Sequence, residues 1–272
     1  MIRQTRCATQ LATYSIDFPA PNRPISPTGT GFFVSPDGWF ITAAHVITQN
    51  TRSDGPLRKD IEQSQLAQVV PTKERRSGEA GTRICQSVKY EFHDPATDLA
   101  ILKVDFSMNA DKYHLQGESG FPFLEVSSRE LEEGEPVYAF GYPLSATDLL
   151  VDIQVGIIQH VAHCPRLTSA IVASTLESSR FISTSEDAKV YVLDKALNYG
   201  NSGGPIIAAD TGKVHAICSR FQPVQIQQRH LTDQNGNIPW IEIPSLYGIV
   251  SSLNNARIVQ ELRKRGIPIS NL

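Results

Sequence analysis

Short apolar runs broken by turn residues constrain this chain most. Gly31-Phe32-Phe33-Val34 reads as a strand and Trp39-Phe40-Ile41-Thr42 as its return. Between them, Ser35-Pro36-Asp37-Gly38 places proline and glycine where a type I turn favours them. Further strands are predicted over 84–91, 100–104, 136–140, 151–158, 170–174, 180–183, 205–208, 213–219 and 246–250. Many short strands with frequent turns imply an all-β barrel or sandwich, not a parallel α/β sheet.

Two stretches depart from that rhythm. Residues 48–82 are polar, charged and poor in aromatics, and read as a surface insertion, partly helical around 60–69. The run 253–262 places Leu253, Ile258, Val259 and Leu262 near one helical face. Arg263, Lys264 and Arg265 suit the C-terminus of that helix, and Gly266 then Pro268 stop it.

Composition narrows the function classes. The chain has 272 residues, 40% hydrophobic, enough for one large all-β unit or two lobes. Its formal net charge of −3 offers no strongly basic surface, so no nucleic-acid partner is expected. The basic residues between Arg58 and Arg83 read as a solvated loop, with a partner-binding or regulatory loop as the sharper alternative. Cys7, Cys85, Cys164 and Cys218 show no Cys-x-x-Cys pairing, which argues against a disulfide framework or zinc knuckle. His160, His163 and Cys164 lack a matching second cluster, so no metal and no cofactor is expected. The N-terminal residues lack a secretory apolar run, and no segment approaches the roughly 20 apolar residues of a membrane span. A cytoplasmic protein without membrane contact is the expectation.

Three signals carry chemistry. Gly200-Asn201-Ser202-Gly203-Gly204-Pro205 sets a serine in a glycine-rich turn. Thr42-Ala43-Ala44-His45 ends a strand with an imidazole, and Asp98 precedes the apolar run Leu99 to Leu102. A serine hydroxyl is a poor nucleophile at neutral pH and needs a base, which needs an orienting partner. Ser202, His45 and Asp98 supply that set for acyl transfer. The backbone N–H groups of Gly200 and Ser202 can converge on a developing oxyanion if the chain turns sharply there. Asp94 and Asp105 read as loop or strand-end carboxylates, His93 as a turn cap and His215 as a sheet-face residue.

These residues resemble the trypsin-like (chymotrypsin-fold) serine proteases and, within them, the HtrA/Deg protease domain. Residues 29–47 resemble the family's Gly-x-Gly-Phe-x-Val…Ala-His-Val segment, and Asp94-Pro95-Ala96-Thr97-Asp98-Leu99-Ala100 its acid-bearing stretch. Gly141-Tyr142-Pro143 is similar to its Gly-Asn-Pro turn, 194–205 to its nucleophile loop and 247–263 to its closing strand and helix. The resemblance spans 29–266 and implies two six-stranded antiparallel β-barrels with the triad between them. It divides the chain into an N-terminal segment 1–28, a first lobe 29–120 with the insertion 48–82, a second lobe 121–252, and a helix and tail 253–272.

The resemblance also assigns finer roles. Ala196 stands where trypsin has a pocket aspartate, which argues against cleavage after Lys or Arg. Cys218, Ser219, Arg220 and Phe221 fall along the pocket wall, Gly248 and Val250 at its back. A mostly apolar pocket for small or aliphatic side chains follows; acidic residues are favoured instead if Arg220 turns inward. Ser219 matches a position whose hydroxyl supports the acid. Val46 stands where many secreted relatives carry a bridging cysteine, consistent with a reducing compartment. Asn201 replaces the aspartate used for zymogen activation, Tyr199 replaces the usual proline, and no PDZ domain is recognised. The expected function is a serine endopeptidase acting on protein or peptide substrates through an acyl-enzyme. The alternative, kept open by Tyr199 and the insertion, is a partner-activated or catalytically weak module that mainly binds peptides and takes an activating protein partner.

Overall fold

The computed structural model describes residues 2–18, 27–70, 81–110, 119–143, 147–152, 156–161, 165–177, 188–197, 199–227 and 240–271. After helix α1 (Ile2–Ala12), the first sheet is built from β1 (Thr13–Asp17), β2 (Pro27–Phe33), β3 (Trp39–Ala43), β4 (Gln65–Val69), β5 (Thr82–Cys85), β6 (Val88–Asp94) and β7 (Leu99–Val104). Their order is β5-β4-β1-β2-β3-β7-β6, a curled half-barrel with β5 and β6 at its edges. A short helix α2 (Ala44–Ile47) follows β3, and α3 (Ser107–Ala110) follows β7. Aromatic rings pack on one face of this sheet: Phe33 stacks on Phe121 at 4.0 Å and meets Tyr14 and Phe40 edge-on.

The second sheet contains β8 (Val126–Ser127), β9 (Pro136–Gly141), β12 (Arg166–Glu177), β13 (Lys189–Leu193), β14 (Pro205–Ala208), β15 (Val214–Gln227), β16 (Trp240–Ser252) and β17 (Ile269–Ser270). The additional β14–β15 pairing closes β14-β9-β12-β13-β16-β15 into a six-stranded barrel. Strands β10 (Thr147–Asp152) and β11 (Gly156–Val161) form a separate hairpin.

Two-residue periodicity joins the lobes. Ile206, Ala208, Ala216 and Cys218 point into the barrel with Tyr191, Leu193 and Val250. The alternate residues Ile207 and Ile217 pack instead with Phe32, Ile41 and Leu99 of the first sheet. Ile258 and Leu262 of helix α4 (Ala256–Lys264) join this shared core.

The all-β, double-barrel expectation holds, with the first barrel realised as the open seven-stranded sheet. Several local readings change. The helix expected around 60–69 is a 3₁₀ turn at Ile61–Gln63 followed by β4, because β4 hydrogen-bonds to β1 on one side and β5 on the other. Residues Thr13–Asp17, read within the N-terminal segment, lie in the sheet between β2 and β4. The strand expected over 151–158 is split into the β10–β11 hairpin, and the run 84–91 breaks between β5 and β6, where Ser87 has φ 64°. The last helix begins at Ala256 because the Asn255 side chain accepts from the amides of Arg257 and Ile258; Leu253 is buried ahead of it. His93 lies in β6 with Nδ1 2.9 Å from the Tyr90 hydroxyl, not at a turn cap. The stretch 180–183 lies outside the described residues.

Candidate active site

The pairing of β3 with β7 brings His45 to Asp98 across 53 residues of sequence. Its register sets Ala43 opposite Leu99. The residue two beyond the end of β3 therefore faces the residue just before β7. His45 Nδ1 lies 2.7 Å from Asp98 Oδ2, and the His45 backbone N–H donates to Oδ1 at 3.0 Å. The Ala44 N–H donates to the Asp98 carbonyl at 2.8 Å, so Asp98 holds the whole helical turn that carries the imidazole. Asp98 itself has φ 53°, a left-handed conformation that aspartate tolerates better than most residues. The Ser219 hydroxyl donates to Oδ2 at 2.6 Å. Asp98 is fully buried. Burial alone would raise its carboxyl; the His45 ring and the hydrogen bonds from His45 and Ser219 outweigh that and hold it below the usual carboxylate range. The His45 side chain keeps 13% exposure, which leaves the ring open on one side.

Ser202 sits in a turn fixed on both flanks. The Gly203 N–H donates to the Cys218 carbonyl at 2.6 Å, the Cys218 N–H returns to Gly204 at 2.8 Å, and the Gly204 N–H closes on Asn201 at 2.8 Å. Gly200 and Gly203 have φ 89° and 84°, values that favour glycine. A Cβ on Gly203 would lie 2.2 Å from the Thr30 carbonyl oxygen and 2.6 Å from the Ala43 nitrogen, two residues ahead of His45. The Ser202 turn is thus pressed against the strand that leads to His45. Among the described residues, the amides of Gly200 and Ser202 donate to no protein acceptor, and the Ser202 hydroxyl is not hydrogen-bonded to the His45 ring. Such hydrogen bonds are often long in substrate-free sites and tighten in the complex.

Thr30 was not singled out by the sequence, yet it ties this loop down. Its N–H donates to the Ser202 carbonyl at 2.7 Å and its hydroxyl to the Gly200 carbonyl at 2.6 Å. The same hydroxyl accepts from the Tyr142 N–H at 2.9 Å, and the Thr30 carbonyl accepts from the Thr42 hydroxyl at 2.7 Å. The only available signal was its place between Gly29 and Gly31, where no neighbouring side chain competes for space.

The expected pocket residues gather on the barrel side. Cys218 pairs in register with Val250, and both lie buried in the barrel interior with Leu197. A Cβ on Gly248 would come within 2.8 Å of the Leu197 side chain, so β16 crosses close over the 195–197 loop. Ala196 is partly exposed beside it. Phe221 pairs in register with Gly248, and Arg220 with Ile249; the side chains of Arg220 and Phe221 lie outside the described residues. Burial, and then the Asp98 charge, push the Cys218 thiol well up, which keeps it protonated and unreactive.

The supporting residues extend outward. Asp94 accepts from the Thr97 N–H at 3.1 Å and hydroxyl at 2.8 Å, and from Arg257 of α4 at 2.8 Å. It therefore shapes the approach to Asp98 and anchors the C-terminal helix, beyond the loop role expected of it. His215 is buried within β15, with Nδ1 2.9 Å from the Arg129 carbonyl. Asp105 caps α3 through the Ser107 N–H at 2.9 Å. His163 and Cys164, and the side chain of His160, lie outside the described residues. No helix among the described residues is long and apolar enough to cross a membrane.

Comparison with known proteins agrees with this architecture. The solved HtrA-type protease AlgW with tripeptide superposes with a TM-score of 0.54 at 18% identity, over 98% of this chain and 65% of that one. The serine endoprotease from Yersinia pestis gives 0.52 at 17% identity, over 98% and 66%. At these identities the likeness concerns the fold. Serine protease HTRA1B of Danio rerio is 27% identical over 192 residues, and serine protease HTRA4 of Homo sapiens 28% over 185. These cover 70% and 67% of this chain but 29% and 28% of the relatives, so the chain spans under a third of their length. The trypsin-like peptidase domain family matches residues 29–217, from within β2 to within β15, two residues short of Ser219. With that match covering most of both lobes, the chain belongs to the trypsin-like peptidase domain family.

Proposed function

We propose that the chain is a serine endopeptidase domain whose nucleophile is Ser202, base His45 and acid Asp98. The observation that carries the reading is the 2.7 Å contact of His45 Nδ1 with a fully buried, low-pKa Asp98 carboxylate. That contact fixes the proton on Nδ1 and leaves Nε2 as the basic nitrogen. Ser202 Oγ attacks the scissile carbonyl while its proton passes to Nε2. Asp98 stabilises the imidazolium without being protonated. The amides of Gly200 and Ser202 receive the oxyanion. His45 then returns the proton to the leaving amine, and water attacks the acyl-enzyme with His45 again as base.

The proposed substrate class is read from Ala196 and from the apolar residues packed behind it. Leu197, Cys218 and Val250 are buried apolar groups, and Ala196 brings no charge. The pocket is therefore proposed to take small or aliphatic P1 side chains. A peptide-library digest in which cleavage after Lys or Arg dominates would overturn that specificity. The mechanism is tested with a fluorophosphonate probe and with labelled casein. Wild type labels and cleaves; Ser202→Ala, folded by circular dichroism, does neither. Casein turnover retained in Ser202→Ala would end the mechanism.

A further inference from the structure

We infer that Thr30 is a positioning residue for the oxyanion donors, a latch between the first sheet and the nucleophile loop. The inference rests on the proposed Ser202 chemistry and adds to it a residue that no family role assigned above includes.

Thr30 takes two carbonyls of the loop at once. Its hydroxyl holds Gly200 O at 2.6 Å and its amide holds Ser202 O at 2.7 Å. Between them, Asn201 O is held by the Gly204 N–H at 2.8 Å. A peptide plane points its carbonyl and its N–H in opposite directions. With Asn201 O drawn into the turn, the Ser202 N–H is turned the other way. With Gly200 O drawn to Thr30, ψ of Gly200 is set, on a residue whose φ of 89° leaves it free of any Cβ restraint. Glycine alone would let this plane rotate; the hydroxyl supplies the restraint that the side-chain-free residue lacks.

The hydroxyl is itself directed. It accepts from the Tyr142 N–H at 2.9 Å, so its proton is turned to Gly200 O. Tyr142 follows β9 of the closed barrel, and Thr30 belongs to β2 of the open sheet. The 200–201 peptide, which joins the two peptides that carry the donors, is therefore set by the contact between the two lobes, and Thr30 is buried there. A hydroxyl in that place is not interchangeable with a methyl. Valine at position 30 would leave both the Gly200 carbonyl and the Tyr142 amide unpartnered and free the Gly200 peptide, while the backbone bonds of the turn remain.

The test uses saturation labelling by a fluorophosphonate, which separates affinity (KI) from the rate of bond formation (kinact). In that step the Ser202 Oγ–P bond forms, the P–F bond breaks, fluoride leaves, and the serine proton goes to His45. Losing an oxyanion donor costs about 10²–10³ in rate. A donor kept but set loose should cost roughly tenfold or more in kinact for Thr30→Val, with KI within about twofold. Thr30→Ser keeps the hydroxyl and should stay within about threefold of wild type. Thermal melts accompany each variant, and Thr30→Ser keeps the inference refutable should Thr30→Val not fold. Unchanged kinact in folded Thr30→Val, or a loss in Thr30→Ser equal to that of Thr30→Val, would overturn the latch alone. Wild type that neither labels nor cleaves casein would overturn the Ser202 chemistry, and the latch with it.

Discussion

Substituting Gly203 by alanine separates two costs that the structure assigns to one position. The residue has φ 84°, and a Cβ there would approach the Thr30 carbonyl oxygen to 2.2 Å and the Thr42 hydroxyl to 2.3 Å. Left-handed backbone costs an L-residue about 1–2 kcal/mol. The overlap, mostly with backbone that cannot rotate away, adds about 1–3 kcal/mol. Gly134 provides the control: its φ is 86°, and nothing lies within 4 Å of its virtual Cβ. Gly134→Ala should therefore cost only the conformational share, about 1–2 kcal/mol. The entropy gained by removing glycine from the unfolded chain is common to both and cancels in their difference. Urea denaturation in a Ser202→Ala background, which suppresses self-cleavage, measures both losses. Gly203→Ala should exceed Gly134→Ala by about 1–3 kcal/mol, or several degrees in melting temperature. Equal losses would refute the claim that close packing against Thr30 and Thr42 fixes the Ser202 turn.

Three other outcomes follow from the site and its surroundings. Asp98→Asn should lower kcat about 10⁴-fold while the fold persists, measured by peptide hydrolysis, because the amide no longer fixes the His45 tautomer. Ser219→Ala removes a 2.6 Å hydrogen bond to that carboxylate and should cost about 1.5–3 kcal/mol at neutral pH. Because the Asp98 pKa is lowered on folding, its stabilisation is present above the unfolded value and fades as pH falls; denaturation at acid pH should show the Ser219→Ala deficit shrinking. Asp17 behaves oppositely. Burial pushes its carboxyl from 3.8 to about 7, so the folded state binds the extra proton and stability falls as pH rises between those values. Asp17→Asn should flatten that slope, worth about 4 kcal/mol at its largest; an unchanged stability–pH profile would count against it.

Much of this protein was legible along the chain, because periodicity and turn chemistry are local. The hairpin Gly31 to Thr42 and the strand 205–208 fall where alternation and turn residues put them. Glycine-flanked Ser202, strand-end His45 and Asp98 before its apolar run stood out because each needs a special local setting. The 60–69 stretch misled for the complementary reason: its polar composition suited a surface segment, while ladder hydrogen bonds to β1 and β5 made it a strand.

What the sequence by itself determined is the all-β class and the candidate set Ser202, His45 and Asp98, since both are written in residue type and short-range order. Only the tertiary structure decided how those groups meet. The Ala43–Leu99 register sets His45 against Asp98, and the lobe contact gives Thr30 to the carbonyls of Gly200 and Ser202. Such pairings join residues 53 to 172 positions apart. Hydrogen bonds at that separation depend on strand register and lobe packing, and neither leaves a mark in any local window of sequence.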